Sequence, residues 1–353
     1  MSNYLRRAAV LFLFFFLFPQ TSFSSQDSAP NGEDGSVIDV LGKVSDKDYF
    51  ELAGGYKLYL PRFFFVDGEF YAFPNTKAAI ASGEFTQTDE GLLRADGAAI
   101  GIDFSITSHL VYVWIAFFLS FLITMWAAGR YKRGIGDNVE PQGALQNIFE
   151  TVFVFVRDDI AKEFIPEDKY RKYVAYLFTI FLAITFLNLF GLLPWGAAAT
   201  ANITVTATLA LITFAITQFS GTKDYWAHVF VFPGVPAWSR IILTPVEFLG
   251  LFTKPFALAI RLFANMLAGK IMIVSILGLV FVFADLFGAA AGYGSGIFWV
   301  LLTAALYFLK ALVALIQAYV FTLLSAVFIG MAAEEHHHEH DESSVAHAQD
   351  VQL

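Results

Sequence analysis

The chain has 353 residues, of which 57% are hydrophobic and only 15% charged, and its formal net charge is −9. This composition lies outside the range of soluble domains and predicts a membrane protein, and the lack of a basic surface argues against nucleic-acid binding. The absence of cysteine excludes disulfides, cysteine-based metal sites and thiol chemistry.

The amino terminus has the features of a secretory signal peptide over residues 1–24. The first seven residues, MSNYLRR, are basic, and the next eleven are apolar, which is too few to cross a bilayer. Ser22 and Ser24 place small residues where cleavage would occur. An uncleaved short anchor is the alternative, and in either case we expect the following segment to be exported.

Residues 25–104 form this exported N-terminal region, which begins with a stretch typical of a disordered linker, SQDSAPNGEDG. Further on, alternating residues surround Asp67 and Gly68, a pair suited to a type I′ hairpin turn. Lysine and arginine are sparse here, which fits an external location. We expect a small β-rich unit or cap.

The first predicted span is Ile106–Ala128, which is apolar throughout. Three cations between Arg130 and Arg133 follow it, and the positive-inside rule assigns that end to the cytoplasm. The pattern of Pro141–Ile165 then predicts an amphipathic helix at the cytoplasmic surface. An ordinary loop helix without a partner is the alternative.

Two shorter spans come next. A second basic cluster, Tyr170–Lys172, precedes the span Tyr173–Leu193, which runs outward. Ala201–Phe219 then returns and is rich in threonine, asparagine and alanine. Small polar residues of this kind mediate helix packing more often than they line a channel.

The last two apolar segments, Ser239–Ala284 and Phe298–Ala332, are too long for an upright crossing. At ~1.5 Å per residue the second alone extends roughly 50 Å, against ~30 Å of hydrocarbon, so both must project, tilt or bend. We expect Pro245 and Pro255 to kink the first segment. The glycine-rich sequence Gly288–Gly296 predicts a flexible connection between the two.

A charged residue, Arg261, interrupts the apolar run Lys254–Phe283. Arginine does not deprotonate in proteins, so burial cannot neutralise it, and a cation at mid-bilayer costs roughly 2.5–3.5 kcal/mol on insertion scales. Asn265 follows one helical turn later on the same face. The pattern indicates an ion path, a relay or a counter-ion, and the alternative is an arginine that snorkels to an interface.

Polar residues also form a stripe on the last helix. Thr303, Lys310 and Gln317 recur at heptad spacing, with Tyr307 beside them. An apolar helix that carries one polar stripe favours a partner or water along it.

The carboxyl-terminal tail, residues 334–353, is acidic and rich in histidine. We interpret it as a solvated cytoplasmic terminus, because three consecutive histidines are short for an affinity tag and a metal site is the weaker interpretation. The sequence predicts no metal site and no cofactor.

Several motifs resemble subunit a, the membrane stator subunit of F-type ATP synthases. The sequence RLFANMLAG at Arg261–Gly269, which follows TKP at Thr253–Pro255, is similar to the family's signature. Four further features agree with the family and occur in its order: NLFGLLP at Asn188–Pro194, TANITVT at Thr200–Thr206, Glu247 fourteen residues before Arg261, and IQAYVF at Ile316–Phe321. The resemblance covers about Ser105 to Glu335.

The resemblance implies an all-α polytopic membrane domain over residues 105–333, with upright transmembrane helices and two long, steeply tilted helices that form a hairpin against a rotor ring. In this family the arginine that corresponds to Arg261 faces a ring of c subunits and separates two offset aqueous half-channels. Ions, here protons with sodium as the alternative, cross by riding the ring. The family also places b-type stalk subunits beside the region of Pro141–Ile165.

The resemblance further implies a multi-pass protein of the bacterial plasma (inner) membrane, with its mature amino terminus outside and its carboxyl terminus in the cytoplasm. The expected partners are the c-subunit ring, the b-type subunits, the rest of the ATP synthase complex and the lipid bilayer. ATP chemistry would belong to those partners, so we expect no enzyme activity from this chain on its own.

Three further positions match the family's ion pathway. Gln317 matches a conserved glutamine, and Glu247 is the carboxylate expected on the cytoplasmic side of Arg261. Asn202 occupies a position that commonly carries an aspartate of the entry half-channel. Asparagine can bind water there but cannot ionise.

Lys270 and Lys310 depart from the family, because these positions usually hold a glutamate–histidine pair that relays protons, or one carboxylate with a neutral partner. Two lysines cannot form such a pair. We expect both to line the exported-side half-channel, in a gap between the long helices where they meet, and the alternative is that they snorkel to the outer interface. Asp285 is a further candidate on that side.

Two other classes of protein stand as alternatives. A self-contained ion-coupled secondary transporter would show an internal repeat with discontinuous helices in both halves, and the sequence has only one such region. A structural assembly protein would not need Arg261, Glu247 and Gln317 in apolar surroundings.

Overall fold

The computed structural model describes residues 46–51, 56–88, 91–94, 102–133, 143–193, 196–230 and 237–334. The predicted signal peptide and all but the first residue of the His-rich tail lie outside the described residues. The described part consists of a small N-terminal region with short strands and a larger bundle of helices.

The N-terminal region holds three small antiparallel sheets, in which β1 pairs with β2, β3 lies between β4 and β7, and β5 pairs with β6. Its elements are β1 (Tyr49–Glu51), β2 (Lys57–Tyr59), β3 (Arg62–Val66), β4 (Glu69–Phe73), α1 (Thr76–Ala81), β5 (Phe85–Thr88), β6 (Gly91–Arg94) and β7 (Ile102–Asp103).

The predicted hairpin is present between β3 and β4. Asp67 and Gly68 both have positive φ, 51° and 86°, as a type I′ turn requires. Alternate residues of β3 therefore point to one side, where Phe64 and Val66 pack with Phe85 in a small apolar core. The prediction of a β-containing unit is confirmed.

The bundle is built from helices of very different lengths. They are α2 (Ser108–Lys132), α3 (Ala144–Val154), a π-helical turn (Phe155–Ala161), α4 (Lys162–Phe164), α5 (Tyr170–Leu192), a 3₁₀ turn (Ala199–Ala201), α6 (Ile203–Ser220), α7 (Lys223–Phe230), α8 (Ala237–Phe287) and α9 (Ala289–Ala333). Five of them, α2, α5, α6, α8 and α9, are long and apolar enough to cross a membrane. The prediction of a polytopic α-helical membrane protein is confirmed.

Helix α5 lies at the centre of the bundle and α8 at its edge. Leu177, Ile184 and Leu187 of α5 are fully buried in the main core, against α2, α9 and the π-helical turn. Most of the apolar surface of α8, by contrast, is left uncovered by the rest of the chain. An apolar helix that is uncovered in this way faces lipid or another protein.

The two ends of the bundle can be distinguished by their contacts. At one end, called the β end, Ser108 N donates to Lys47 O of the N-terminal region. At the other end, called the opposite end, Lys169 Nζ before α5 donates to Ala333 O of α9, and Thr222 N after α6 donates to Ala332 O.

The connection between the two long helices differs from the prediction. Only Gly288, with φ 88°, interrupts the helix, and α9 begins at Ala289. The prediction of a flexible loop over Gly288–Gly296 is therefore wrong. Gly288 makes the turn because it adopts positive φ. Gly292 lets the helices approach closely, since a Cβ there would meet the Cβ of Ala284.

Pro245 and Pro255 both lie inside α8, which continues through them. Each proline removes one backbone donor from the helix, but neither ends it. With 51 residues, α8 is roughly 75 Å long, and it cannot cross a hydrocarbon layer of ~30 Å upright without projecting well beyond it.

Candidate functional site

Arg261 lies near the middle of α8 and is exposed, whereas Leu258 and Leu262 beside it are fully buried. Within the ranges that the structure describes, no residue gives its guanidinium a hydrogen bond or an ion pair. A guanidinium in apolar surroundings requires an anion or water. The described part of the chain does not supply an anion.

The surface around Arg261 is made of small side chains. Ala257, Ala264 and Ala268 lie four residues before, three after and seven after it, on the same helical face, and all three are exposed. Small residues let another helix approach the backbone closely in a membrane. The face around Arg261 is thus open to a second helix.

Asn265 joins α8 to α9 one helical turn from Arg261. Lys310 Nζ donates to the backbone oxygen of Asn265 at 3.0 Å and to its Oδ1 at 3.1 Å. Gly269 provides the space, because a Cβ there would collide with the end of the Lys310 side chain. The Lys310 ammonium is therefore held at Asn265, one helical turn from Arg261 along α8.

Lys270 has a different partner. Its Nζ donates to the Gly196 backbone oxygen at 2.6 Å, in the connection between α5 and the 3₁₀ turn. The two lysines lie on different long helices, as the sequence indicates, but they do not share the gap in which they were expected to meet. Lys310 binds Asn265 of α8, whereas Lys270 binds Gly196 in the α5–α6 connection.

The predicted polar stripe on α9 is only partly exposed to its surroundings. Thr303 and Gln317 are both buried, at 5% and 7% exposure, and Thr303 Oγ1 donates to Trp299 O at 2.7 Å. The Gln317 Nε2 atom is buried without a hydrogen-bond partner among the described residues. A buried amide in this state needs water or an outside acceptor.

A buried hydrogen-bond network runs beside this stripe. Thr200 Oγ1 donates to Asn188 Oδ1 at 3.0 Å, and Asn188 Nδ2 donates to Ala314 O of α9 at 3.2 Å. Sequence reasoning does not single out Thr200 or Asn188 as site residues. Their positions in the motifs Asn188–Pro194 and Thr200–Thr206 are the signal that could have found them.

Glu247 lies near a cavity at the opposite end. The cavity, about 370 Å³, lies among α6, α7, α8 and α9, and its polar lining consists of Thr213, Thr217, Gln218, Tyr225 and Lys254. Gln218 Nε2 donates to Tyr225 Oη at 3.5 Å. Burial raises the pKa of the Tyr225 hydroxyl, and the nearby Glu247 carboxylate raises it further. Glu247 itself is half-buried.

Asn202 lies beside a second cavity, at the β end. This cavity is about 260 Å³, and its lining is mostly polar: Asp46, Ser105, Thr107, His109, Leu110, Asn202, Thr204 and Val205. Asn202 caps α6, since its Oδ1 accepts from Thr204 N at 2.9 Å, and its Nδ2 lies 3.5 Å from His109 Nδ1. His109 and Asp46 are absent from the sequence prediction.

The remaining candidates are not drawn together. Asp285 is exposed near the end of α8 and lines neither cavity. In the described portion of the chain, no group of three or more histidines and carboxylates could hold a metal ion. The His-rich tail lies outside that portion.

These features define a class of protein: a polytopic α-helical membrane protein with an exposed arginine at the centre of a long helix, a mostly apolar cavity at one end and a mostly polar cavity at the other. Residues 110–330 match the family model described as ATP synthase A chain. The chain is 44% identical over 253 residues to ATP synthase subunit a of Chloroherpeton thalassium, covering 70% of this chain and 72% of that relative.

A second relative gives the same result. ATP synthase subunit a of Myxococcus xanthus is 41% identical over 259 residues, covering 70% of this chain and 81% of the relative. The chain belongs to the ATP synthase A chain family. The resemblance that the sequence motifs indicate is confirmed.

Proposed function

We propose that this chain is the proton-translocating stator subunit of an F-type ATP synthase and that Arg261 faces a ring of c-type subunits. The observation that carries the proposal is that Arg261 is exposed at mid-helix, surrounded by small residues and without a described partner. A carboxylate on a passing ring helix is the partner that this surface would accept. Replacing Arg261 and measuring ATP-driven proton pumping tests the proposal.

The two cavities, one at each end of the bundle, support two separate half-channels. Asn202 caps the first turn of α6, while Gln218 and Tyr225 lie at and after its last turn. A helix of 18 residues is roughly 27 Å long, close to the ~30 Å hydrocarbon thickness. In this proposal the two cavities lie toward opposite membrane surfaces, and Arg261 separates them.

A proton would enter at Asn202, pass along the polar groups near Lys310 and Gln317, and bind the ring carboxylate. After a near-complete turn of the ring it would leave toward Glu247. Arg261 holds the passing carboxylate ionised, because a nearby fixed positive charge disfavours protonation. Asn265, one helical turn from Arg261, positions Lys310 beside this path.

The chain acts only with partners in this proposal, and it catalyses no reaction by itself. ATP hydrolysis and synthesis belong to other subunits of the complex. Helix α3 exposes Leu145 and Ile148, at 73% and 61%, on a surface suited to b-type stalk subunits.

The orientation follows from the basic clusters. Arg130 and Lys132 end α2 and Arg171 begins α5, so the opposite end would be cytoplasmic. The signal peptide 1–24, the exported region 25–104, the membrane domain 105–333 and the tail 334–353 then follow in order. The end of α9 supports this orientation, because Ala333 O accepts a hydrogen bond from Lys169 Nζ at the opposite end.

Protease digestion tests the orientation. Protease added to intact spheroplasts should remove the region between Asp27 and Asp103 and leave the His-rich tail intact, because only the former is outside. In inverted vesicles the protease should remove the His-rich tail and leave the region between Asp27 and Asp103 intact. Cleavage of the tail from outside would contradict the orientation.

Lys270 and Lys310 should affect the rate of proton entry, but neither should be essential for it. Lys270→Gln and Lys310→Gln should each slow proton flux and change its pH dependence, because each removes a positive charge that hydrogen-bonds beside the entry path. Flux in reconstituted vesicles, measured across pH, checks this. The exposed Lys223→Gln serves as a matched control. Unchanged flux in the double variant would favour lysines that only snorkel.

A self-contained secondary transporter explains these observations less well. Such a protein would place the partner of a buried charge within its own chain, whereas Arg261 has none among the described residues. Both long helices are also continuous, so discontinuous helices in both halves are not observed in the described ranges.

A further inference from the structure

A buried ionisable pair lies at the β end, apart from Arg261. His109, at the start of α2, is only 3% exposed. Its Nδ1 lies 3.4 Å from Asp46 Oδ2, a residue of the N-terminal region, and 3.5 Å from Asn202 Nδ2. All three side chains line the cavity of about 260 Å³.

Asp46 is fixed in its ionised form by donors. Its Oδ1 accepts hydrogen bonds from Lys47 N at 2.9 Å, Ser108 Oγ at 3.0 Å and His109 N at 3.1 Å. Burial raises the pKa of the Asp46 carboxyl, but the charge of His109 and hydrogen bonds from the His109 ring, the His109 backbone and the Thr107 hydroxyl outweigh burial and hold the pKa below its ordinary value. The carboxylate is therefore a permanent acceptor beside the imidazole.

The imidazole has a partner at Nδ1 in either protonation state. When it is neutral with its proton on Nε2, Nδ1 can accept from Asn202 Nδ2. When it is protonated, Nδ1 can donate to Asp46 Oδ2. Histidine ordinarily exchanges a proton between pH 5 and 8, and here the exchange requires no rearrangement of the neighbouring side chains.

The second ring nitrogen of His109, Nε2, also indicates that water is bound at this site. His109 Nε2 is buried and has no hydrogen-bond partner among the described residues. A buried N–H is rarely left unpaired, and a polar cavity is where ordered water satisfies such groups. The histidine thus belongs to a hydrated site rather than to an apolar core.

Polar groups continue from this site toward Arg261. Asn202 is two residues from Thr200, whose hydroxyl begins the network through Asn188 to Ala314 O. Ala314 lies one helical turn from Lys310 and from Gln317 on α9, and Lys310 binds Asn265. Polar groups therefore lie at intervals between the cavity and the helical turn next to Arg261, and water would have to connect them.

We propose that His109 and Asp46 form the proton-accepting mouth of the half-channel at the β end, so that the N-terminal region supplies part of the ion pathway. The inference rests on the proposed function. His109 takes up a proton at Nδ1, which forms the imidazolium, and then loses that same proton from Nδ1 to the next water, which restores the neutral ring with its proton on Nε2. The pair supplies a titrating group in a channel where Lys270 and Lys310 replace the usual relay.

Few other charges surround His109. Lys47, next to Asp46, forms an ion pair with Glu51 at 3.9 Å and lies close enough to Lys270 to repel its charge. The start of α6 and the 3₁₀ turn contribute the uncharged Asn202 and Thr200. Among the described residues, Asp46 is thus the carboxylate that faces the ring.

Proton conduction through the assembled membrane sector tests the proposal. Vesicles that carry the complex without its ATPase head would be given a potential that drives protons in from the β end, at pH 5 to 8 on that side. His109→Gln should lower the flux severalfold and flatten its pH profile. Asp46→Asn should also lower the flux and change its pH profile, because it removes the carboxylate that faces His109 Nδ1.

The proton flux is divided by the amount of assembled complex, so that a lower yield of complex is not mistaken for lower conduction. Asp46→Glu should restore the wild-type profile because it keeps the charge, and Asp48→Asn, the same change two residues away, should leave it unaltered. Unchanged profiles in both His109→Gln and Asp46→Asn would overturn the inference, and so would fewer complexes with normal flux each, which would identify the pair as a structural clamp. A wild-type sector that conducts no protons would refute the proposed function itself.

Discussion

We expect Arg261→Ala and Arg261→Gln to reduce ATP-driven proton pumping and ATP synthesis to background while the complex still assembles. Assembly should survive because Arg261 is exposed and has no described partner within the chain, so its removal leaves no buried group unsatisfied. Pumping should fail because no fixed positive charge remains to ionise the ring carboxylate or to block a leak between the half-channels. Fluorescence quenching in inverted vesicles measures pumping.

A positive charge at position 261 should not by itself be enough for proton pumping. Arg261→Lys should also be badly impaired, because an ammonium can lose its proton and lacks the planar fork of a guanidinium. Ser275→Ala, an exposed position fourteen residues further along α8, is the matched control and should pump normally. Co-purification of a small c-type proteolipid and the ATPase head with the variant establishes assembly. Near-normal synthesis in Arg261→Ala would refute the assigned role.

The second large effect should come from Gly330→Ala in α9. A Cβ at Gly330 would collide with the backbone oxygen of Phe164, at the end of α4, and backbone cannot move aside as a flexible side chain can. Overpacking of this kind typically costs about 1–3 kcal/mol. The variant should show a lower melting temperature of the purified complex and less assembled subunit in membranes.

The same helix offers a matched control for this change. Gly294 has open space around its missing Cβ, so Gly294→Ala should retain wild-type stability. A bulkier change, Gly330→Leu, should be worse than alanine if the collision is the cause. Equal melting temperatures for Gly330→Ala and wild type would show that the end of α9 can move away from α4 without loss.

The elements that depend on local chemistry could be predicted from the sequence. Asp67 and Gly68 predict their hairpin because few residue pairs tolerate positive φ at both positions. The apolar spans can be predicted because length and composition decide whether a helix can cross hydrocarbon. The π-helical turn Phe155–Ala161 has no such local signature, and only the packing around it distinguishes it from α-helix.

The errors arise where tertiary contacts override composition. Glycines at Gly292 and Gly296 indicate flexibility when they are considered alone, yet Gly292 serves the close approach of α9 to Ala284. Lys270 is predicted to lie near Lys310, but it reaches a free carbonyl at Gly196, 74 residues away in the chain. No periodicity encodes such a contact.

The residues of the candidate site also differ in whether the sequence alone could predict them. Arg261, Glu247 and Gln317 are conspicuous because polar groups are costly in apolar helices, so sequence reasoning finds them. The Asp46–His109 pair is not conspicuous in the sequence, since the two residues are 63 positions apart and neither is unusual in its own segment. Only the fold brings the N-terminal region to the start of α2.

The turn at Gly288 has a mechanical consequence. One residue joins α8 to α9, and the two helices pack against each other, so they form one stiff unit rather than two helices on a flexible linker. A ring that rotates against α8 would exert a sideways force on this unit. Because a packed pair of helices bends less than a single helix, the force would be transmitted to the non-rotating subunits of the complex instead of bending the helices in the membrane.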